Sequence, residues 1–109
     1  MYGNYRILNY KIMLIELIKF GENLHGRPQG KDAYDSIVAR LGDIGKDENI
    51  IVDFRGVNSF STSWLDEVLS PLQEKYGNRL ILKNVINLSA KISLDTLKEV
   101  GGKKFHIEQ

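Results

Sequence analysis

The chain has 109 residues, no cysteine, and 15 basic against 14 acidic side chains, a net charge of +1. That length suits one domain with its own core, and the charge balance gives no general attraction to nucleic acid or to an anionic membrane. The lack of cysteine excludes disulfides and zinc–thiolate sites. The apolar run at residues 12–15 is far short of the roughly 20 residues of a membrane span. The opening MYGNYRILNYK has no apolar stretch followed by a small-residue cleavage site. The expectation is a soluble cytoplasmic protein with no membrane or nucleic-acid partner.

Residues 1–20 alternate loosely, with Tyr5, Ile7, Ile12, Leu14 and Leu17-Ile18 set among Lys11, Glu16 and Lys19. This is strand chemistry, read as a hairpin turning at Asn9-Tyr10 or as one long edge strand. Residues 21–30 (GENLHGRPQG) hold three glycines and a proline and read as a loop. A helix is predicted over 31–41, where Ala33, Tyr34, Ile37, Val38 and Leu41 share one face. Asp32 suits its positive end and Gly42 its stop, and residues 43–49 form a connection.

The organising stretch is residues 50–69, IIVDFRGVNSFSTSWLDEVL. The β-branched run Ile50-Ile51-Val52 predicts a buried strand, Asp53-Phe54-Arg55-Gly56 a turn, and the hydroxyl-rich segment at 58–63 leads into a helix. Ser63 with Asp66 three residues on outlines a capping box, and Trp64, Leu65, Val68, Leu69 and Leu72 form the buried face. Pro71 costs a helix interior roughly 3 kcal/mol, so a kink is expected there, with a restart at Ser70 as the alternative. Gly77-Asn78 is a turn and residues 80–83 are a short strand. A third helix lies within 88–100, with Ile92, Leu97 and Val100 as buried positions. Gly101-Gly102 ends it, and residues 103–107 form a final edge strand. Strands alternating with helices imply an α/β domain with a mixed, mostly parallel sheet of four to five strands and about three helices.

Several chemistries are absent. GRPQGKD has three residues, not four, between its first glycine and the Gly-Lys pair, and Asp32 replaces the metal-binding hydroxyl of a phosphate loop. Asp66 and Glu67 are adjacent, so on a helix they diverge by about 100° and make no facing acid/base pair. His25 and His106 stand far apart with no ligand spacing around either, and no nucleophile elbow is present. No metal or cofactor is expected. What remains is Ser61, Thr62 and Ser63 at a helix start, where backbone N–H groups favour an added anion. Ser63 as a cap, with Ser61 and Thr62 solvating the loop, is the plain structural reading.

These motifs resemble a known family. Asp53-Phe54 with Gly56-Val57, then a hydroxyl triplet and a helix, is similar to the STAS domains of anti-sigma-factor antagonists and sulphate-transporter tails. The pattern resembles still more the smaller STAS-like family of unknown function, often found beside histidine-kinase-type ATPase domains. Arg27 and Gly30, Ser61 and Ser63, Trp64-Leu65, Asp66-Glu67 and a strand ending at Asn84 complete it. The resemblance implies the fold and a serine, by position Ser63 with Thr62 beside it, phosphorylated by a partner serine kinase of the histidine-kinase-like ATPase fold. Ser61 stands where the antagonists carry an acidic residue, and Trp64 where they carry glycine.

The expected function is therefore a non-enzymatic regulatory module that binds a protein partner through Ser61, Thr62, Ser63, Trp64, Asp66 and Glu67. The alternative is a sensor of a nucleotide or other anion, held between the loop at 26–30 and the Ser63 helix end, with Arg27 and Lys31 supplying charge. A hydrolase ranks last for want of a base beside any nucleophile. A homodimer through the amino-terminal strands or an exposed edge is a further arrangement that free strand edges allow.

Overall fold

A computed structural model describes residues 4–7, 10–45 and 47–108, with side chains from Ile12 onward. Among them, β1 (Asn4–Ile7), β2 (Tyr10–Glu16), β4 (Glu48–Asp53), β6 (Leu80–Lys83) and β7 (His106–Glu108) form one sheet in the order β1-β2-β4-β6-β7. The run from β2 to β7 is parallel, and β1 is antiparallel on β2, with Ile7 opposite Tyr10. The chain therefore makes the hairpin. Of the expected turn, Tyr10 is already strand and Asn9 lies outside the described residues. A second, two-stranded sheet pairs β3 (Asn23–Leu24) with β5 (Ser59–Phe60) in parallel.

The parallel connections are α1 (Arg27–Leu41), α2 (Thr62–Tyr76) and α3 (Leu88–Gly101). Their buried residues share one core with Ile15, Ile50, Val52, Leu80 and Leu82. Leu14, Ile51 and Ile81 alternate with those positions in register and lie outside that core. The helices thus line one face of the sheet, which is why β4 alternates in burial although its sequence reads as continuously apolar. No described helix is long and apolar enough to cross a membrane.

Four local expectations are corrected. Residues 17–20 are a short 3₁₀ turn, not strand, with Leu17 fully buried. Helix α1 begins at Arg27 rather than Lys31, because Pro28 falls in the first turn, where its missing N–H costs nothing. Helix α2 is capped by Ser61 rather than Ser63, and it runs through Pro71 as one element without a restart at Ser70. Its apolar face continues from Trp64 to Leu72 on both sides of the proline, and that burial outweighs the lost backbone bond. On α3 the buried face is Ala90, Ser93, Leu94 and Leu97, spaced i, i+3, i+4, i+7; Ile92 and Val100, expected inside, are 55% and 84% exposed. Gly42 and Gly102 end α1 and α3 with positive φ, as their positions predict.

Candidate functional site

The carboxyl ends of β4 and β6 are locked together. Asp53 Oδ1 accepts hydrogen bonds from the Arg55 backbone N–H at 2.9 Å and from Asn84 Nδ2 at 2.7 Å. Asn84 stands at φ 60°, a left-handed conformation that asparagine tolerates better than branched residues. Gly56 turns at φ 89° with the Ile18 side chain 3.3 Å from where a Cβ would sit, so the Asp-Phe-Arg-Gly stretch is a rigid corner that sends the chain to β5.

Beyond that corner the hydroxyls divide by role. Ser61 Oγ accepts from the Trp64 N–H at 3.2 Å, capping α2, and from the Gly26 N–H at 3.0 Å, tying the start of α1 to the start of α2. Ser63 Oγ lies 3.2 Å from it. Ser59 Oγ donates to Asn23 Oδ1 at 2.8 Å and sits 2.9 Å from His25 Nε2. With the hydroxyl proton given to Asn23, it is His25 Nε2 that carries a proton and donates. A base therefore does stand beside a hydroxyl, which the sequence did not show. Its orientation is the reverse of an activated serine, whose proton points at the imidazole.

The start of α3 is fastened to β5. Ser89 Oγ both accepts from the Phe60 N–H and donates to the Phe60 carbonyl, each at 2.8 Å, so it pairs with β5 as a neighbouring strand would. Asn87 caps α3 through Ala90 N–H at 3.1 Å and donates to the carbonyls of Val57 and Asn58. Between the starts of α2 and α3 lies an open groove of about 580 Å³, lined by His25, Phe60, Ser61, Thr62, Leu88 and Ile92 among others. Leu88 is 72% exposed and Ile92 55%. The Thr62 hydroxyl makes no hydrogen bond to any described residue.

The other motif residues meet on the opposite side of α2. Arg27 Nη1 donates to Asp66 Oδ2 at 2.9 Å and to Glu67 Oε1 at 3.1 Å, so one guanidinium bridges the two diverging carboxylates. Those bonds raise the Arg27 pKa further, and it stays charged. The Ser70 hydroxyl, donating to Asp66 Oδ1, and then Arg27 hold the Asp66 carboxyl below its ordinary value against the opposing effect of burial. Gly30 lies against α2: a Cβ there would be 2.9 Å from both the Trp64 carbonyl oxygen and Glu67 Cβ. The absent side chain is what lets the two helices touch.

Of the residues expected at a binding surface, Ser61, Thr62 and Ser63 are half-buried at the start of α2, and Asp66 and Glu67 are half-buried and paired with Arg27. Trp64, expected both on the buried face of α2 and at the binding surface, belongs to the buried face and is corrected as a surface residue: it is 1% exposed, packed 6.2 Å from the Phe20 ring and 6.3 Å from the Phe60 ring, because the first turn of α2 faces the core. The two cations expected to hold an anion are partnered, Arg27 with Asp66 and Glu67 and Lys31 with Asp35 at 3.4 Å. Residues 26–30 are the cap and first turn of α1, not an open loop. Leu88 and Ile92 went unnoticed as surface residues; their place off the 90/93/94/97 face is the signal that identifies them. Among the described residues, no three His, Asp or Glu side chains gather to hold a metal.

No curated protein and no solved structure matches this chain. The family model for a STAS-like domain of unknown function matches residues 29–91, more than half the chain, from the first turn of α1 through the start of α3. That span carries the Asp53–Asn84 corner, the Ser61 cap of α2 and the Gly30 contact between α1 and α2, and this chain belongs to the family of STAS-like domains of unknown function.

Proposed function

We propose that this domain is a non-enzymatic, cytoplasmic regulatory module that binds a protein partner across the groove at the starts of α2 and α3, switched by a phosphate on Thr62 or Ser63. The observation that carries the reading is the Thr62 hydroxyl, which bonds to no described residue and is set in a groove beside the exposed side chains of Leu88 and Ile92. Apolar side chains exposed together beside polar groups mark interaction surfaces more often than single exposed ones do. A phosphate at this point lies at the positive end of the α2 dipole, beside the Trp64 N–H that Ser61 already caps. Asp66 and Glu67 would repel it, but Arg27 already offsets part of their charge. About two added negative charges beside Leu88 and Ile92 turn an apolar docking surface into an unfavourable one, with no catalysis by this chain. The resemblance to anti-sigma-factor antagonists makes a serine kinase of the histidine-kinase-like ATPase fold the leading partner.

Intact-mass analysis with phosphate mapping on protein purified from its native cells tests the switch. A phosphate on Thr62 or Ser63 is expected, and an unmodified chain under several growth conditions would remove the switch. Thr62→Glu is expected to reduce partner retention in an affinity isolation while Thr62→Val preserves it; equal retention by both would contradict the reading.

A further inference from the structure

A second cleft lies towards the carboxyl end of α3, lined by other residues of that helix than the groove at Thr62. It measures about 430 Å³ and is walled by Asp95 and Lys98 of α3 and by Lys103 and Lys104 on the segment leading into β7. Its apolar lining is Leu94, Phe105 and Ile107. Leu94 is buried and Phe105 packs on the core, while Ile107 is 42% exposed. The three lysines make no ion pair with any described residue, whereas Lys83 and His106 nearby both lie near Glu108. In a chain whose net charge is only +1, an excess of positive charge is therefore concentrated around one apolar hollow. Lysines near the end of α3 suit its negative dipole end, but that role needs neither Lys104, which lies beyond Gly102, nor an open apolar floor.

We infer that this cleft is a docking site for an acidic segment of a protein partner, with carboxylates meeting Lys98, Lys103 and Lys104 and an apolar side chain resting on Phe105 and Ile107. Charge complementarity selects an acidic ligand, and the floor selects a peptide over a nucleic acid, whose bases stack on open rings, because the one ring of the cleft, Phe105, packs on the core and its exposed apolar residue is the aliphatic Ile107. Strand β7 is the outer edge of the sheet and can align an extended segment alongside. It has only three residues, so the side chains of the cleft rather than a long backbone ladder supply the selectivity. The site is independent of the groove at Thr62.

The probe is a fluorescein-labelled peptide of alternating glutamate and leucine, titrated by anisotropy against the full chain. Saturable binding is expected, with amide shifts in an ¹⁵N spectrum centred on residues 103–107. The double variant Lys98→Glu, Lys104→Glu should weaken it by about tenfold or more, as paired charges across an interface are reversed. Ile107→Ser should weaken it without altering the charge, and because all three side chains are exposed both variants should melt like the parent. Substitutions at Thr62, Leu88 or Ile92 should leave the titration unchanged, which separates this site from the proposed groove. The inference is overturned if the peptide does not saturate, if both cleft variants bind as the parent does, or if polyglutamate or oligothymidylate binds equally well. It is also overturned if sedimentation shows a concentration-dependent dimer that the double variant abolishes, since the occupant would then be a second copy.

Discussion

The two sides of α2 use the same short sequence in opposite ways. On the α1 side, Arg27, Gly30, Trp64, Asp66 and Glu67 are committed to one another: a ring in the core, a missing Cβ that lets helices touch, and a guanidinium across two carboxylates. On the α3 side, Thr62, Leu88 and Ile92 face an open groove, and the Thr62 hydroxyl bonds to no described residue. Ser61 sits between them and belongs to the first group, since it accepts from two backbone N–H groups. The difference teaches that a motif spanning 53–67 mixes residues that make the platform with residues that stand on it. Sequence alone ranks them together.

The largest effect that would break this contrast lies in the core. Trp64→Ala should cost about 3–5 kcal/mol in urea-induced unfolding, as large aromatic truncations do; a cost like that of a surface residue would return Trp64 to the docking face. Gly30→Ala sharpens the point. Helix propensity alone predicts stabilisation by about 1 kcal/mol, whereas overpacking against the Trp64 carbonyl predicts a loss of about 1–3 kcal/mol, and chemical denaturation separates the two by sign. Ser61→Ala should cost about 1–2 kcal/mol, since it removes a cap and strands the Gly26 N–H.

A smaller effect concerns acid. The folded Asp66 carboxyl titrates below its ordinary value because Ser70 and Arg27 bond its charged form. Its stabilisation is thus fully present above the unfolded value, about 3.9, and is lost as pH falls through the lower folded value. Thermal midpoints measured from neutral pH downwards should fall more steeply for the parent than for Asp66→Asn below about pH 4. Identical slopes would show that the bridge holds nothing. Replacing Leu88 or Ile92 with serine should have the smallest effect on stability, within about 0.5 kcal/mol, because neither packs inside.

Much of the fold was legible because its elements obey strong periods. The strands at 50–53 and 80–83, the apolar face of α2, and the glycine stops at Gly42 and Gly102 all follow from spacing and turn chemistry. The start of α1 was not legible, because Pro28 and Gly30 read as loop punctuation when one suits a first turn and the other a helix contact. The buried face of α3 was hidden because Ala90 and Ser93 carry little apolar signal, so the larger Ile92 and Val100 attracted the assignment. Strands β3 and β5 are too short to show a period. At the site, the hydroxyl triplet was found, but its division into cap and surface depended on contacts with Gly26 and Trp64 that the sequence does not display. The Arg27 bridge joins residues 39 and 40 positions apart, beyond any local pattern.

The groove is the centre of the functional account, and a comparative affinity isolation tests it most directly. The parent and the double variant Leu88→Ser, Ile92→Ser, matched for melting temperature, would be used as bait in extract from the native cells, with quantitative mass spectrometry of what each retains. The account predicts a protein that the parent retains and the double variant loses, and that Lys98→Glu leaves in place. Retention of the same proteins in the same amounts by parent and double variant would contradict it.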